Sequence, residues 1–360
     1  MAYIRGGHML KFTMQLKVCF FLLLAPWAVN AHHSRSAFFD QTTTVEVEGV
    51  ITRVLWRHPH VRFWVQADES YGGALWELES TPPSILEREG ISRELWAPGA
   101  RVRVAGAPAR RVDNAMEVSH VLLPDGTEVL LYGGLSPIWS DKVLARELLG
   151  FSEEAIAAAQ TSARGIFRVW SREGGIANRP RLYPESFPLT PAAQAEALAF
   201  VEEDHLFTGC VAKVMPGIMD NIWPFEFVDE GQQIRLKIEE FDQQRIIHMG
   251  QAPAPGAPDT MGYSTGRWEG NVLIVNTGNL IPGEFGAGGI MLSNQAELVE
   301  RFILSDDETR LDYTLTVNDS RTFTSPLTMT SYWIWRPGEV LKPYDCIEVP
   351  ESWTTEAGPN

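Results

Sequence analysis

The feature that most constrains the fold is a period-two alternation of apolar and polar residues, which recurs in two separate stretches of the chain. In the first stretch, Val45-Glu46-Val47-Glu48 and Arg101-Val102-Arg103-Val104 place alternate side chains on opposite faces of extended strands. A short helix over 84–89 begins after Pro82-Pro83. Three strands, this helix and two further strands follow the order of a small five-stranded OB-like barrel. The strands are predicted near 43–56, 60–68, 74–79, 101–107 and 115–123.

Alternation returns after residue 209 and continues almost to the C-terminus. Turn-forming residues separate the predicted strands at intervals suited to antiparallel hairpins. The strands are predicted at 233–239, 244–248, 262–268, 271–277, 297–304, 310–317 and 327–335. Many strands without helices indicate an up-and-down barrel or a sandwich, and the near-equal spacing favours a lipocalin-like antiparallel barrel. Such a barrel can enclose a small apolar ligand.

Between the two β-rich stretches the sequence carries few strand signals and several helical runs, so we interpret it as a connector. One helix is predicted to begin at Thr190-Pro191, a capping hydroxyl followed by proline in the first turn. The predicted organisation is a signal peptide over 1–31, an OB-like β-barrel over 32–131, a helical and extended connector over 132–205, an antiparallel β-barrel over 206–350 and a C-terminal tail over 351–360.

The N-terminal residues have the pattern of a secretory signal peptide. Lys11 and Lys17 form the basic region, Val18 to Trp27 the apolar region, and Val29-Asn30-Ala31 a small-x-small cleavage site. The pattern predicts a periplasmic or secreted protein with His32 as its new N-terminus. No later apolar run approaches the roughly 20 residues that a membrane helix needs, so the mature protein is expected to be soluble.

Charge and cysteine content narrow the possible partners and environment. The formal net charge is −16, from 30 Lys and Arg against 46 Asp and Glu. An acidic surface repels phosphate backbones, so nucleic acid is not expected as a partner. Only Cys210 and Cys346 follow the presequence. An even pair in an exported chain favours a disulfide, and two buried thiols are the alternative.

Four of the eight histidines lie near the predicted mature N-terminus, at His32, His33, His58 and His60. A free α-amine with neighbouring imidazoles can chelate Cu(II), because nitrogen donors bind copper strongly among divalent ions. The residue before Pro59 is held extended, so His58 and His60 are expected to point the same way. The sequence therefore predicts a site for copper or another transition metal, with no nucleotide cofactor. The alternative interpretation is that His32 and His33 belong to a polar terminus and that His58 and His60 are exposed turn residues.

Segments of both β-rich stretches are similar to uncharacterised bacterial modules. His32-His33-Ser34 and His58-Pro59-His60 resemble an exported bacterial domain family of unknown function, with mature starts reading H-H-S and an N-P-H turn whose Asn is His58 here. Gly266 to Asn271, Val299 to Phe302 and Tyr344-Asp345-Cys346 resemble a second all-β module that often follows it. The resemblance implies export and a fusion of two modules, but no established activity.

Candidate functional residues in the second stretch cluster around one predicted hairpin. Glu239 and Glu240 near His248 could form an acid–base set. Solvated faces and cross-strand ion pairs are the alternative. Arg245 and Trp268 are candidate ligand-binding residues, although a tryptophan can equally be an aromatic core residue.

Two functional hypotheses follow from these patterns. The first is an exported binding protein that holds copper or another transition metal through its N-terminal histidines and a small apolar ligand in the C-terminal β-domain. The second is a secreted enzyme, hydrolase or isomerase-like, with an acid–base site in that domain. No nucleophile elbow, Walker loop, dinucleotide fingerprint or His-Glu-x-x-His helix occurs in the sequence. The binding hypothesis is preferred because no paired nucleophile and base is evident.

Overall fold

The computed structural model of the 360-residue chain describes most of the predicted mature protein. The described residues are 38–144, 150–172, 182–184, 186–200, 210–251, 253–285 and 289–347. The predicted signal peptide, His32 and His33, and the predicted C-terminal tail lie outside these residues.

The first β-rich stretch folds into a closed five-stranded barrel, as predicted. Its strands are β1 (Val45–Leu55), β2 (Arg62–Ala67), β3 (Leu75–Glu79), β4 (Arg101–Pro108) and β5 (Ala115–Leu122), and β6 (Glu128–Leu130) and β7 (Val143–Leu144) extend the sheet beyond β5. The order around the ring is β3-β2-β1-β4-β5, and parallel pairing of β3 with β5 closes it. We call this unit the small barrel.

Helix α1 (Pro83–Arg88) follows β3 and begins with a proline in its first turn, as predicted. Two glycines allow the strands of the small barrel to approach closely. A Cβ atom on Gly49 would lie 2.1 Å from the carbonyl oxygen of Gln66, and one on Gly106 would lie 2.1 Å from that of Glu117. Any larger residue would force these neighbouring strands apart.

The connector contains two helices, α2 (Glu153–Ser162) and α3 (Pro191–Ala199). In each helix the capping hydroxyl, on Ser152 or Thr190, accepts a hydrogen bond at 3.2 Å from the backbone N–H three residues later. No helix within the described ranges is long and apolar enough to cross a membrane. The connector also contains β8 (Val169–Ser171), which pairs with strands of the second barrel. Three residues are too few to show the alternation that marks longer strands.

The second β-rich stretch, together with β8, closes into a nine-stranded barrel rather than a sandwich. We call it the large barrel. The strands after β8 are β9 (Phe225–Asp229), β10 (Gln233–Ile238), β11 (Gln243–Met249), β12 (Tyr263–Glu269), β13 (Val272–Gly278), β14 (Gly283–Glu284), β15 (Met291–Leu292), β16 (Glu297–Leu304), β17 (Arg310–Asn318) and β18 (Leu327–Trp335), of which β14 and β15 form a separate two-stranded sheet. The ring order of the large barrel is β10-β11-β12-β13-β16-β17-β18-β8-β9. Neighbouring strands in the ring are antiparallel except β11 and β12, which run parallel.

Alternate residues of the strands point into the apolar cores of the two barrels. In β17, Leu311, Tyr313, Leu315 and Val317 are buried, and the residues between them are half-buried. Burying one large apolar side chain stabilises the fold by about 1.5–3 kcal/mol. The alternation that predicted these strands therefore reflects the burial of every second side chain.

The two barrels meet through α1 of the small barrel and the segment that follows β18. Ile85 of α1 packs in one apolar cluster with Trp223 and Tyr344 of the large barrel and its C-terminal segment. The indole N–H of Trp223 donates a hydrogen bond to the hydroxyl of Ser84 at 3.1 Å. We call this contact region the junction.

Candidate functional site

A histidine–carboxylate pair lies on the small barrel at the start of β2. His60 Nδ1 lies 2.5 Å from Glu79 Oε1, and Arg62 donates a hydrogen bond to Glu79 Oε2 at 3.1 Å. Glu79 is buried, whereas the side chain of His60 is 42% exposed. A neutral imidazole facing a carboxylate carries its proton on Nδ1, which leaves a lone pair on the other ring nitrogen, Nε2. A carboxylate behind the ring is also how proteins orient metal-binding histidines.

Four titratable side chains lie next to one another in turn, and we call them the His60 cluster: His60, Glu79, Arg62 and Glu77. Burial alone would raise the pKa of Glu79, but His60 and Arg62 outweigh it and hold that pKa below its ordinary value. Arg62 is itself buried and also lies 3.6 Å from Glu77. Glu79 is therefore a charged carboxylate at neutral pH. Sequence reasoning missed Glu79, although Arg62 and Glu79 are direct partners in the pairing of β2 with β3.

The first described part of the chain contacts β5, the strand that pairs with β3 of this cluster. The side-chain amide of Gln41 donates a hydrogen bond to Glu117 at 2.7 Å. Glu117 lies opposite Glu79 in the parallel pair of β3 and β5. Within residues 38–347, where described, no group of three or more His, Cys, Asp or Glu is placed to hold a metal ion. Since His32 and His33 lie outside the described residues, the metal site stays a prediction.

His58 occupies a different environment, because its ring is buried in the junction. The imidazole stacks on Tyr344 with ring centroids 3.9 Å apart, and the edge of Trp223 approaches it at 6.2 Å. The backbone N–H of His58 donates to the carbonyl of Asp345 at 2.8 Å. Burial lowers the pKa of His58 to about 4, so its ring is neutral at pH 7. His58 thus contacts the C-terminal segment, whereas His60 contacts Glu79.

Of the carboxylates predicted as an acid–base set, Glu239 joins the two barrels at the junction, whereas Glu240 lies in an ion pair within the second β-rich stretch. Glu239 accepts two hydrogen bonds from Arg88, at 2.8 and 2.5 Å, and Arg88 also donates to Glu339 at 2.9 Å. Glu240 pairs with Lys213 at 2.9 Å. All three carboxylates and Arg88 are buried. Removing one partner of such a pair would leave an uncompensated buried charge. We therefore interpret these contacts as structural ion pairs.

His248 lies far from these carboxylates along β11. Glu239 and Glu240 precede the strand, whereas His248 follows Gln243 by five residues, a rise of roughly 16 Å. The imidazole of His248 stacks on Tyr263 of β12, with ring centroids 5.2 Å apart. The structure therefore does not bring the three candidate acid–base residues together.

Arg245 lies inside the large barrel at the centre of a polar network, the Arg245 cluster. Its guanidinium donates to Ser264 at 2.9 Å, to Thr277 at 2.6 Å and to both oxygens of Glu300, one of them at 3.0 Å. The hydroxyl of Tyr313 donates to Glu300 at 2.9 Å. All five side chains are buried. The cluster occupies part of the interior where the sequence predicted an apolar ligand, and that ligand stays a prediction.

Trp268 is neither buried nor part of the Arg245 cluster. Trp268 lies near the end of β12 and is 43% exposed. The edge of its ring meets Phe167, with centroids 6.4 Å apart. The indole therefore lies at the rim of the large barrel, where no described contact tests its predicted role in ligand binding.

The predicted disulfide is confirmed between Cys210 and Cys346, whose Cα atoms are 6.0 Å apart. Cys210 lies before β9 and Cys346 lies after β18. Cys346 also forms a parallel β-bridge with His58 of the small barrel. The C-terminal segment is thus fixed to both barrels, covalently to one and by hydrogen bonds to the other.

A comparison with protein families gives a match over part of the small barrel. Residues 21–116 match the model of a family described as Family of unknown function (DUF6152). No curated protein and no solved structure matches the chain. The resemblance of the first stretch to a domain family of unknown function is therefore supported, and the matched range contains His58, His60 and Glu79. Export and the fusion to a second module stay predictions.

Proposed function

We propose that the protein is an exported binding protein that captures a transition-metal ion, copper(II) by preference. His60 is one ligand, and His32 and His33 supply further nitrogen donors. The observation that carries this proposal is the contact of His60 with the buried carboxylate of Glu79. It holds the imidazole in the orientation and tautomer that a metal ligand needs.

The electrostatics of the His60 cluster support this role. Glu79 keeps its charge because its pKa lies below the ordinary value, and a charged acceptor on Nδ1 increases the basicity of Nε2. Arg62 binds the second oxygen of Glu79 at 3.1 Å. This hydrogen bond keeps the carboxylate against Nδ1, so Nε2 is the ring nitrogen available to a metal ion.

The remaining ligands of this proposal come from the N-terminal segment. His33 lies five residues before Phe38, the first described residue, and five residues span at most roughly 17 Å. Gln41 is anchored next to β3 through Glu117. Cleavage after Ala31 would add a free α-amine at His32. An amine with several imidazoles is a donor set that Cu(II) favours.

The alternative of an acid–base enzyme receives less support from the geometry. Glu239 and Glu240 are engaged in buried ion pairs with Arg88 and Lys213. His248, the proposed third member, lies at the other end of β11. A general base must lie within hydrogen-bonding reach of its partner groups. Binding therefore remains the function that these residues favour.

The test is a competition titration of Cu(II) against a chelator, using protein that begins at His32. We expect His60→Ala to weaken binding, and Glu79→Gln to weaken it by about 10–100-fold. His248→Ala, a half-buried histidine on the large barrel, is the matched control and should bind as the unaltered protein does. Binding should also weaken as the pH falls through about 6.5, because protons compete for imidazole.

Two outcomes would contradict the proposal. Unaltered affinity after His60→Ala would remove His60 as a ligand, and since its side chain is 42% exposed, the variant is expected to fold. Unaltered affinity after His33→Ala and after adding one residue before His32 would remove the N-terminal donors. Mass spectrometry of exported protein tests the premise, since an intact presequence would leave no free amine at His32.

A further inference from the structure

The large barrel carries a cleft that is separate from the His60 cluster, and its origin is topological. β11 and β12 are the parallel neighbours in the ring, and parallel strands require a connection that returns along the length of the first strand. The described part of the connecting segment, residues 250, 251 and 253–262, passes back over the outer face of β11. Between them lies the crossover cleft, a cavity of about 370 Å³ that is open to solvent. Its strand wall consists of Gln244, Ile246 and His248.

The connecting segment is fastened at several points, so the cleft is formed in advance of any ligand. The hydroxyl of Tyr263 donates a hydrogen bond to the carbonyl of Pro253. The side-chain amide of Asn279 donates to the carbonyl of Gly256 at 3.1 Å. One oxygen of Asp259 accepts two backbone N–H groups, at 2.8 and 2.7 Å. Small-molecule sites are commonly pre-formed in this way and have volumes of about 300–1,000 Å³.

The polar lining of the crossover cleft is made mainly of groups that both donate and accept hydrogen bonds. Gln243, Gln244 and Asn279 contribute carboxamides, and Thr260 contributes a hydroxyl. No lysine or arginine lines this cleft in the described part of the chain. The carboxylate of Asp259 already accepts two backbone hydrogen bonds. Arg235 donates to Gln244 from outside this lining, but it is already paired with Glu230. An anionic ligand would therefore find no uncompensated cationic partner in the lining.

The apolar lining provides flat surfaces beside these polar groups. The rings of His248 and Tyr263 stack at 5.2 Å with an angle of 29° between their planes. Ile246 and Met261 add aliphatic surface, and Met261 is buried. The cleft is thus lined by two aromatic rings and by neighbouring amides that are able to serve adjacent hydroxyl groups.

We infer that the crossover cleft binds a small, uncharged, polyhydroxylated ring, a ligand of the saccharide class. Each sugar hydroxyl donates and accepts a hydrogen bond, which matches carboxamides and hydroxyls better than it matches fixed charges. The C–H face of a sugar ring is apolar and fits against the planar surface of an aromatic side chain. The site does not use the His60 cluster, so it is independent of the proposed metal binding.

The test is methyl NMR on protein labelled with 13C at the methionine methyl groups, in the presence of a metal chelator. Met261 lines the cleft and reports binding, whereas Met329, buried in the core of the large barrel, is the internal control. The probes are glucose, galactose, N-acetylglucosamine, maltose and cellobiose. We expect at least one neutral sugar to shift the Met261 signal saturably and to leave the Met329 signal unchanged.

Variants then locate the binding site. Gln243→Ala and His248→Ala should each weaken binding by about tenfold, the value of one lost hydrogen bond or ring contact. Tyr332→Ala, a half-buried aromatic on β18 outside the cleft lining, is the matched control and should leave affinity unchanged. The inference is overturned if none of the five sugars shifts Met261 or if both cleft variants bind as the unaltered protein does. Tighter binding of glucuronate or glucosamine than of the neutral sugars would overturn the assignment to uncharged ligands.

Discussion

The core of the small barrel is mainly aliphatic, whereas the large barrel places a buried ion pair among aromatic side chains. In the small barrel Phe63 and Trp96 are the large aromatic members of the core, with ring centroids 5.2 Å apart. In the large barrel Tyr313 contacts both Phe302 and Trp333, at 4.9 and 5.1 Å. Tyr313 also donates a hydrogen bond to Glu300, the partner of Arg245.

The difference follows from the number of strands. The diameter of a barrel grows with its strand number, so nine strands enclose more space than five. Aliphatic side chains fill the narrow barrel, but the wider one needs rings and the long side chain of Arg245. Burial raises the pKa of Tyr313 well above its ordinary value, so its hydroxyl stays protonated and donates to Glu300. The wide interior is therefore filled, but it depends on a charged network.

The largest expected effect comes from breaking that network. Glu300→Ala leaves the guanidinium of Arg245 buried without its counter-charge, and we expect a loss of about 4 kcal/mol in the free energy of unfolding. Urea denaturation followed by circular dichroism measures this loss. The double replacement Arg245→Met with Glu300→Leu removes both charges, so it should cost less than Glu300→Ala alone. If Glu300→Ala instead costs under about 1 kcal/mol, water must reach Arg245 and the interior is wider than the contacts indicate.

The second effect concerns the junction, where the two barrels share buried charges. Arg88→Met leaves Glu239 and Glu339 without their shared partner, and we expect a loss of about 3 kcal/mol in the free energy of unfolding. The control is Arg101→Met on the surface of the small barrel. Arg101 is about half exposed and pairs with the partly exposed carboxylates of Glu48 and Asp68, so its replacement should cost much less than that of Arg88. Equal losses in the two variants would show that the junction is solvated.

The fold could be predicted largely because burial follows the strand period. In β10, Ile234, Leu236 and Ile238 are buried and the residues between them are not, so the sequence pattern and the structure agree. The strands that were missed, such as β8 and β9, are too short for this pattern to identify them. β8 has three residues, and β9 reads Phe-Glu-Phe-Val-Asp, too short to separate it from a loop. Such short strands form because they pair with strands that are distant in the chain. The local sequence gives no information about those pairing partners.

The candidate sites were less predictable, because their residues meet only through tertiary contacts. Glu239 and Glu240 lie next to His248 in sequence, yet Glu239 is paired with Arg88, which is 151 positions away. Arg88 ends a short helix of the small barrel, where a surface charge is the ordinary expectation. The disulfide was predictable because two cysteines allow only one pairing. Charged residues had many possible partners, and nothing in their local sequence selected among them.

The two barrels also hold buried carboxylates whose pKa values are shifted in opposite directions, and a pH titration can distinguish the two. Glu79 on the small barrel has a lowered pKa. Burial of Glu284, in the two-stranded sheet beside the large barrel, raises its pKa from 4.5 to about 7 despite the hydrogen bond from Gly289 and the charge of Lys213. A raised carboxyl pKa favours the fold below about 4.5, and this contribution is lost as the pH rises through about 7.

Glu284→Gln should therefore differ less from the unaltered protein at pH 5 than at pH 8, where it should be the more stable of the two. We expect a difference of about 2 kcal/mol in the free energy of unfolding at the higher pH. Urea denaturation at both pH values measures it. Glu226→Gln, a half-exposed carboxylate on β9, is the control and should show no comparable rise. A difference that stays constant from pH 5 to pH 8 would mean that Glu284 does not titrate in this range.

The smallest effect is expected at the rim of the large barrel. Trp268→Ala removes an indole whose residue is 43% exposed and whose ring meets Phe167 only by its edge, so we expect a loss of about 0.5–1 kcal/mol in the free energy of unfolding. Trp96→Ala in the small barrel removes a buried ring that packs on Phe63, and it should cost about 3–5 kcal/mol. A loss in the free energy of unfolding at Trp268 as large as that at Trp96 would mean that another surface covers the rim. The filled interior of the large barrel would then depend on contact with that surface.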